Sequence, residues 1–520
     1  MIGLAFFTFS FIAFLLYFLI FPTINYFRDP KGLRKLPQLS IWSGISDLPY
    51  MRASQRGFRS HTVLEAHKNH PVLRIGPNSL SYSDVRAIKD IYGHGTTCIK
   101  DNFYVEVGGT HTHLADVVDK SEHARKRKVL SNAYAVKNLE EWEYKVSDMT
   151  DRLIKAFDDL CTSPLKEGTL TDKSDLIVDY RMWSNLFTIA AIANIGLSED
   201  IRFLENGDDL IASERMDGAI KKVHFRECLY NTAVAQSNLV WSYDWFKTLT
   251  RISKVVSSSY RQMWRLSDDW SGVVYNRATT RMKRYENGEK LDDFFSVLMN
   301  DKNGQPHNLE WGEIVSEISI MMNAGSDTTA IATNATLYLL LKNPTCLQKL
   351  RDEVSSVLDP NETVAAYDKI RHLPYLRACI DEALRIYPPV SMNLPRRTPP
   401  EGATILDEFV AGDTSVSISA YVVHRDPAIF PEPETYRPER WLGEAGKELQ
   451  PYFVAFSAGA RGCIGRNISY LEQTVLLASL VNRFEFALPS PDWKPTIRET
   501  TNLNFGPMPL KVWRKTMACA

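Results

Sequence analysis

No stretch limits the possible folds of this chain more tightly than Phe456-Ser-Ala-Gly459-Ala-Arg461-Gly-Cys463-Ile-Gly465, which leads into an apolar helical pattern through Leu471, Val475 and Leu476. A thiol at the entrance of a helix feels the positive end of the dipole and unpaired amide donors, which favours thiolate. Thiolate is a strongly electron-donating axial ligand for haem iron. Gly459 and Gly465 permit a tight turn and a close approach of backbone to the macrocycle, Phe456 is placed to shield the sulfur, and Arg461 to pair with a propionate. A lone cysteine between turn glycines is more often a buried structural residue. Here the whole F-x-x-G-x-R-x-C-x-G pattern is present, which favours Cys463 as the iron ligand.

The rest of the composition must allow such a group to be enclosed, and it does. With 520 residues, 44% hydrophobic and 24% charged, the chain can bury a large core, and disorder is excluded. The 61 basic and 62 acidic residues balance to −1, so no basic excess points to nucleic acid as a partner. The seven cysteines are odd in number and never spaced C-x-x-C, which argues against a disulfide framework or zinc ribbon and for a reducing compartment. Length alone suggests three or four domains at ~150 residues each. No internal repeat, Ser/Gly linker or charge block divides the chain beyond residue 45, so one large domain over 46–520 is expected.

Residues 2–21 read IGLAFFTFSFIAFLLYFLIF, uncharged and long enough as a helix to cross a bilayer. A cleaved signal peptide fits less well, because the run is too long, lacks a charged start and shows no small-residue exit. Arg28, Lys31, Arg34 and Lys35 come next, and the positive-inside tendency keeps that flank, and the catalytic body, in the cytosol. Residues 1–21 are therefore expected as a transmembrane anchor. Pro22, Pro30 and Pro37 should break any continuing helix, making 22–45 a stiff linker. Further on, Val72 to Ile75, a Gly76-Pro77-Asn78 turn and Leu80 to Tyr82 predict a hairpin. Val416, Ile418, Ala420 and Val422 alternate with polar neighbours as in a half-buried strand. Long stretches such as 148–160 and 345–358 read as helical.

Two further constellations carry chemistry. Glu382 and Arg385 are i and i+3 on a helix ended by Tyr387-Pro388-Pro389, and Pro438-Glu439-Arg440-Trp441 lies downstream. Taken alone, such a pair is usually solvated and worth ~0.5 kcal/mol. The second is a helix expected from about Asn308 to Lys342, roughly 52 Å long, containing Ala324-Gly325-Ser326-Asp327-Thr328-Thr329. Asn323, Ser326, Asp327, Thr328, Thr329 and Asn334 argue against its being a second membrane span. In isolation, a threonine bonded back to its own helix beside an exposed aspartate is the common reading.

Together these motifs, in this order over essentially all of the chain after the anchor, resemble the cytochrome P-450 family of haem-thiolate monooxygenases. The resemblance implies a mainly α fold with a smaller β region, one haem b (iron protoporphyrin IX) and Cys463 as proximal ligand. By it, Glu382, Arg385 and Arg440 form a buried structural network, with Trp441 where Phe is frequent. Ala324 and Gly325 leave room for dioxygen, Thr328 hydrogen-bonds it, and Asp327 relays protons with solvent. Arg127, in His123-Ala-Arg-Lys-Arg127, and Arg396 should reach the propionates, His123 standing where the family has Trp. His424, in His424-Arg425-Asp426-Pro427, is structural.

By the same resemblance the reaction is insertion of one oxygen atom from dioxygen into an apolar small molecule, with NADPH electrons from a separate flavoprotein reductase. No flavin or dinucleotide fingerprint makes the chain self-sufficient. Asp327 and Thr328 together argue against members that rearrange peroxides. The linker and basic segment look like fungal microsomal members, placed as single-pass proteins of the endoplasmic reticulum membrane that also touch lipid. Many of these tailor terpenoids or polyketides; an aromatic-acid hydroxylase is the runner-up, and a non-catalytic haem protein the reading from another class. Phe103, Val105, Val390, Met392 and Leu394 are candidate substrate-lining positions. Arg125, Lys126 and Lys128 beside Arg127, with Arg466, suggest a basic face for an acidic reductase domain.

Overall fold

The computed structural model describes residues 15–131, 133–135, 140–166, 168–359 and 361–515. Helices carry most of this chain, and the strands are gathered into small sheets, as expected. The helices expected over 148–160 and 345–358 form as Glu143–Asp159 and Pro344–Ser355. The long helix runs Trp311–Lys342 and stops before Pro344; its 32 residues span about 48 Å. It lies against the helix Tyr180–Leu197, which is buried nearly all round. Helices apolar on every face belong inside a domain, and this pair forms its axis. The backbones come close because glycine is used on both sides: a Cβ on Gly325 would stand 2.6 Å from Ile192 Cγ1, and one on Gly196 would stand 2.2 Å from Met321 Cε.

The largest sheet has five strands, in the order Val72–Gly76, Ser79–Tyr82, Ser415–Ile418, Arg396–Arg397, Ile99–Lys100. The first two form the expected antiparallel hairpin, with Val72 opposite Tyr82. Ser415–Ile418 runs parallel to the second, Ser415 opposite Ser79 and Ile418 opposite Tyr82. The half-buried strand expected to reach Val422 is thereby corrected. It ends at Ile418, is buried on both faces, and gives way to a helical turn at Ala420–Val423. Its alternating serines reflect interior hydrogen bonding: Ser417 Oγ accepts from Asn393 Nδ2 (3.0 Å) and donates to Leu80 O (3.1 Å), and Ser419 Oγ donates to Ser391 O (2.6 Å).

The apolar segment expected to cross a membrane falls mostly outside the described residues. Among those described, no helix is long and apolar enough to do so. Pro22 does not end the helix as expected; helical backbone runs through it, from a π-helical stretch at Leu16–Ile20 into the α-helix Phe21–Arg28. Nor is the segment after that helix a free-standing linker. Asp29 turns the chain at φ +47°, and Leu39 N and Pro37 O bond Arg74 O and N (3.0 and 2.7 Å) along the first strand.

Candidate active site

Beneath the long helix lies a cavity of about 360 Å³ whose wall includes Ala324, Gly325 and Thr328 together with Phe456, Cys463 and Gly465. The long helix, the cysteine loop and its succeeding helix Arg466–Arg483 are thus brought together, and Thr329 Oγ1 and Ser469 Oγ tie the two helices at 2.9 Å.

The cysteine loop is closed by Cys463 N donating to Phe456 O (2.9 Å). Its two glycines do different work. Gly459 has φ +64°, and a Cβ there would stand 2.0 Å from Tyr92 O. It serves chain-to-chain approach and does not line the cavity, which corrects one half of the expectation; Gly465 does line it. Phe456 lines the cavity too and leans on Tyr470 (5.1 Å between centroids). The Cys463 thiol is open to the cavity yet deep inside the molecule. Burial pushes it up, outweighing the Gly465 and Arg466 amides and the charges of Arg127 and Arg466 that pull it down. The helix entrance and the two neighbouring cations thus favour the thiolate, against the cost of burial.

Four cations share the cavity wall. Arg127 Nη1 donates to Gly462 O (2.9 Å), Arg396 Nη1 to the Tyr104 hydroxyl (3.1 Å), Arg461 to Val117 O (2.7 Å) and Val118 O (2.9 Å), and Lys100 to Ala115 O. All four bear on His123, which burial and then Arg461, Lys100, Arg127 and Arg396 hold down to about 4. None has a carboxylate at ion-pair distance among the described residues, an arrangement that fits the two propionates of a haem, which Cys463 on the same wall would ligate. Lys100 was not foreseen. It enters through a two-residue strand that pairs it with Arg396, and no spacing in the sequence brings those positions together.

The distal residues divide. Thr328 faces the cavity while its Oγ1 donates to Ala324 O (2.7 Å). Asp327 is off the cavity wall: its carboxylate accepts from Arg181 Nη2 (3.0 Å) and Asn502 Nδ2 (2.8 Å). Of the expected substrate positions, Val390, Met392 and Leu394 line the cavity. Phe103 does not, being stacked on Trp241 (5.0 Å), and Val105 is turned outward; their neighbour Tyr104 lines the wall instead.

Below the site, Glu382 accepts from Arg385 Nε and Nη2, Arg440 Nε and Trp441 Nε1, each at 2.9 Å, all buried. Arg385 Nη1 continues to His424 O (2.8 Å), and His424 Nε2 accepts from Val454 N (2.9 Å), so the network hangs the cysteine loop on the helix Pro374–Ile386. The expected basic face shrinks. Lys126 is buried between Glu313 (2.6 Å) and Glu317 (3.1 Å), and Arg125 is paired with Glu122 and Glu313, leaving Lys128 and Arg466 outward.

A family model described as "Cytochrome P450" matches residues 69–513. Cytochrome P450 monooxygenase efuB of Hormonema carpetanum is 29% identical, over 89% of this chain and 88% of its own. Benzoate 4-monooxygenase bphA of Aspergillus niger is 26% identical, over 88% of each chain. Cytochrome P450 monooxygenase alt3 of Alternaria solani is 28% identical, over 96% of this chain and 91% of its own.

Proposed function

Because this chain belongs to the cytochrome P450 family and is a haem-thiolate monooxygenase, we propose that it hydroxylates an apolar small molecule in a fungal secondary-metabolite pathway, with Cys463 as the axial ligand of haem b. Monooxygenases of the family use dioxygen and a redox partner, which removes the non-catalytic reading. The observation that carries the rest is one cavity walled by Cys463, by Ala324 and Thr328, and by four cations without acidic partners among the described residues. The haem would supply the iron at which dioxygen is activated, with electron push from the thiolate. Arg127, Arg396, Arg461 and Lys100 would hold its carboxylates. Thr328 places a hydroxyl at the cavity wall, and Asp327, held by Arg181 and Asn502, would carry protons toward it. Val390, Met392 and Leu394 exclude water and orient an apolar substrate.

A terpenoid or polyketide suits that lining. An aromatic acid is the second reading, favoured by the similarity to benzoate 4-monooxygenase. Electrons come from an NADPH-dependent flavoprotein reductase meeting Lys128 and Arg466, on the cytosolic side of the endoplasmic reticulum membrane, with residues 1–21 as anchor. The test is the carbon-monoxide difference spectrum of the reduced protein. The thiolate band is expected, and Cys463→Ser should abolish it; a variant that keeps band and activity overturns the ligand assignment. Reconstitution with reductase and a host metabolite extract, then mass spectrometry, should reveal a compound that gains one oxygen.

A further inference from the structure

The Asp327 carboxylate is off the wall of the haem cavity, so the protons it relays must come from elsewhere. A second cavity, of about 730 Å³, lies behind it, between the helix Tyr180–Leu197, the foot of the hairpin formed by Leu210–Glu214 and Ile220–His224, and the hairpin Ile497–Glu499 with Leu503–Phe505. Its rim is solvent-exposed, at His224, Glu227, Thr496 and Arg498, and its floor is buried, at Asn185 (3% exposed) and Asn504 (5%).

At the floor Asn504 Nδ2 donates to Thr500 Oγ1 and Asn502 O (both 3.0 Å), but other polar atoms at or beside it lack protein partners. Asn185 Oδ1, Arg226 Nε and Arg181 Nη1 are buried with no hydrogen bond among the described residues. Leaving such buried atoms dry is costly, so water is the partner that their geometry calls for. Arg181 and Asn185 stand at i and i+4 on one helix face, and Phe505, on the cavity wall, accepts from Arg181 Nε (3.2 Å). Arg181 in turn holds Asp327, whose other oxygen is held by Asn502 in the turn of the same hairpin.

We infer that this second cavity is the entry for the protons consumed at the active site, with Asn185 and Arg226 as positioning residues that hold a water file against the Arg181–Asp327 pair. The balance is RH + O2 + 2 e− + 2 H+ → ROH + H2O: the electrons come from the reductase, and both protons end in the product water. A proton taken from solvent at the His224–Arg498 rim passes along the file to Asp327, which releases it toward Thr328, and the next water restores the file. The inference rests on the relay reading of Asp327, and the experiment separates the two.

Asn185→Leu fills the floor with an apolar side chain, and Asn185→Ser restores a polar one. Arg226→Met removes the second unpartnered group nearer the rim. With haem content and thermal unfolding unchanged, Asn185→Leu should slow reductase-driven product formation about tenfold, divert NADPH electrons to peroxide and enlarge the solvent deuterium isotope effect. Peroxide-driven turnover, which brings its own protons, should stay within about twofold. Asn185→Ser should recover coupling, and Arg226→Met should repeat the defect if the Leu variant folds poorly. If Asn185→Leu and Arg226→Met couple normally while Asp327→Asn does not, protons enter elsewhere and this inference fails. If Asp327→Asn also couples normally, the relay reading itself falls.

Discussion

Glu382 shows how much one side chain can organise. Five donors converge on its carboxylate, counting Arg437 N (3.1 Å) with Arg385, Arg440 and Trp441. Glu382→Ala would leave two buried guanidinium groups unpaired, a loss of about 3–5 kcal/mol. Trp441→Phe removes a single donor to a charged acceptor, about 1.5–3 kcal/mol. Thermal unfolding should rank the variants in that order; equal losses would mean that the network is not shared. His424 adds a pH dependence. Burial, then the charge of Arg385, pushes it from the ordinary 6.5 down to about 3. Because the folded value lies below the unfolded one, the unfolded chain takes up the proton first as pH falls. Stability should therefore be full above about pH 6.5 and decline toward pH 3, and His424→Gln should shallow that decline by up to one proton, read from urea titrations across the window. The Glu382–Arg385 pair is legible from i,i+3 spacing alone. The task of His424 is not, since its partners stand at 385 and 454.

Between elements, the contact that sets spacing is Gly325 against Ile192. Adding a methyl in Gly325→Ala should cost about 1–3 kcal/mol by overpacking, and Ile192→Ala alone about 2–5 kcal/mol by leaving a cavity. The double variant should lose less than the sum, since each change relieves the other; additive losses in a double-mutant cycle would show that the two do not touch. Sequence patterning serves well for such elements. It places the long helix to within three residues at its start, because an apolar run ended by Asn343-Pro344 leaves little choice. It misjudges the strand after Ser415, where alternation reads as exposure although the polar partners are inside the sheet. It is silent on which way Asp327 faces, because that depends on Arg181, well over a hundred residues away in the chain.

At the scale of the molecule, one side gathers outward apolar side chains. The helix Phe246–Val256 exposes Ile252 (50%), Val255 (74%) and Val256 (75%) among Lys247, Arg251 and Lys254, and Tyr17 and Phe18 rest on Trp245 (5.1 and 4.7 Å) at its start. If this side meets lipid, removing residues 1–27 should release the protein from vesicles only in part, and adding Ile252→Asp and Val255→Asp should release the remainder without loss of the carbon-monoxide band. Complete release by truncation alone would assign membrane contact to the first segment. The four cations around His123 have a reach beyond the site. Their mutual repulsion is a standing cost that a bound dianion relieves, so folding and haem uptake are linked by mass action. The quantity of native protein in a cell should then track the supply of porphyrin: starved of it, the same message should yield less enzyme as unfilled chains are degraded.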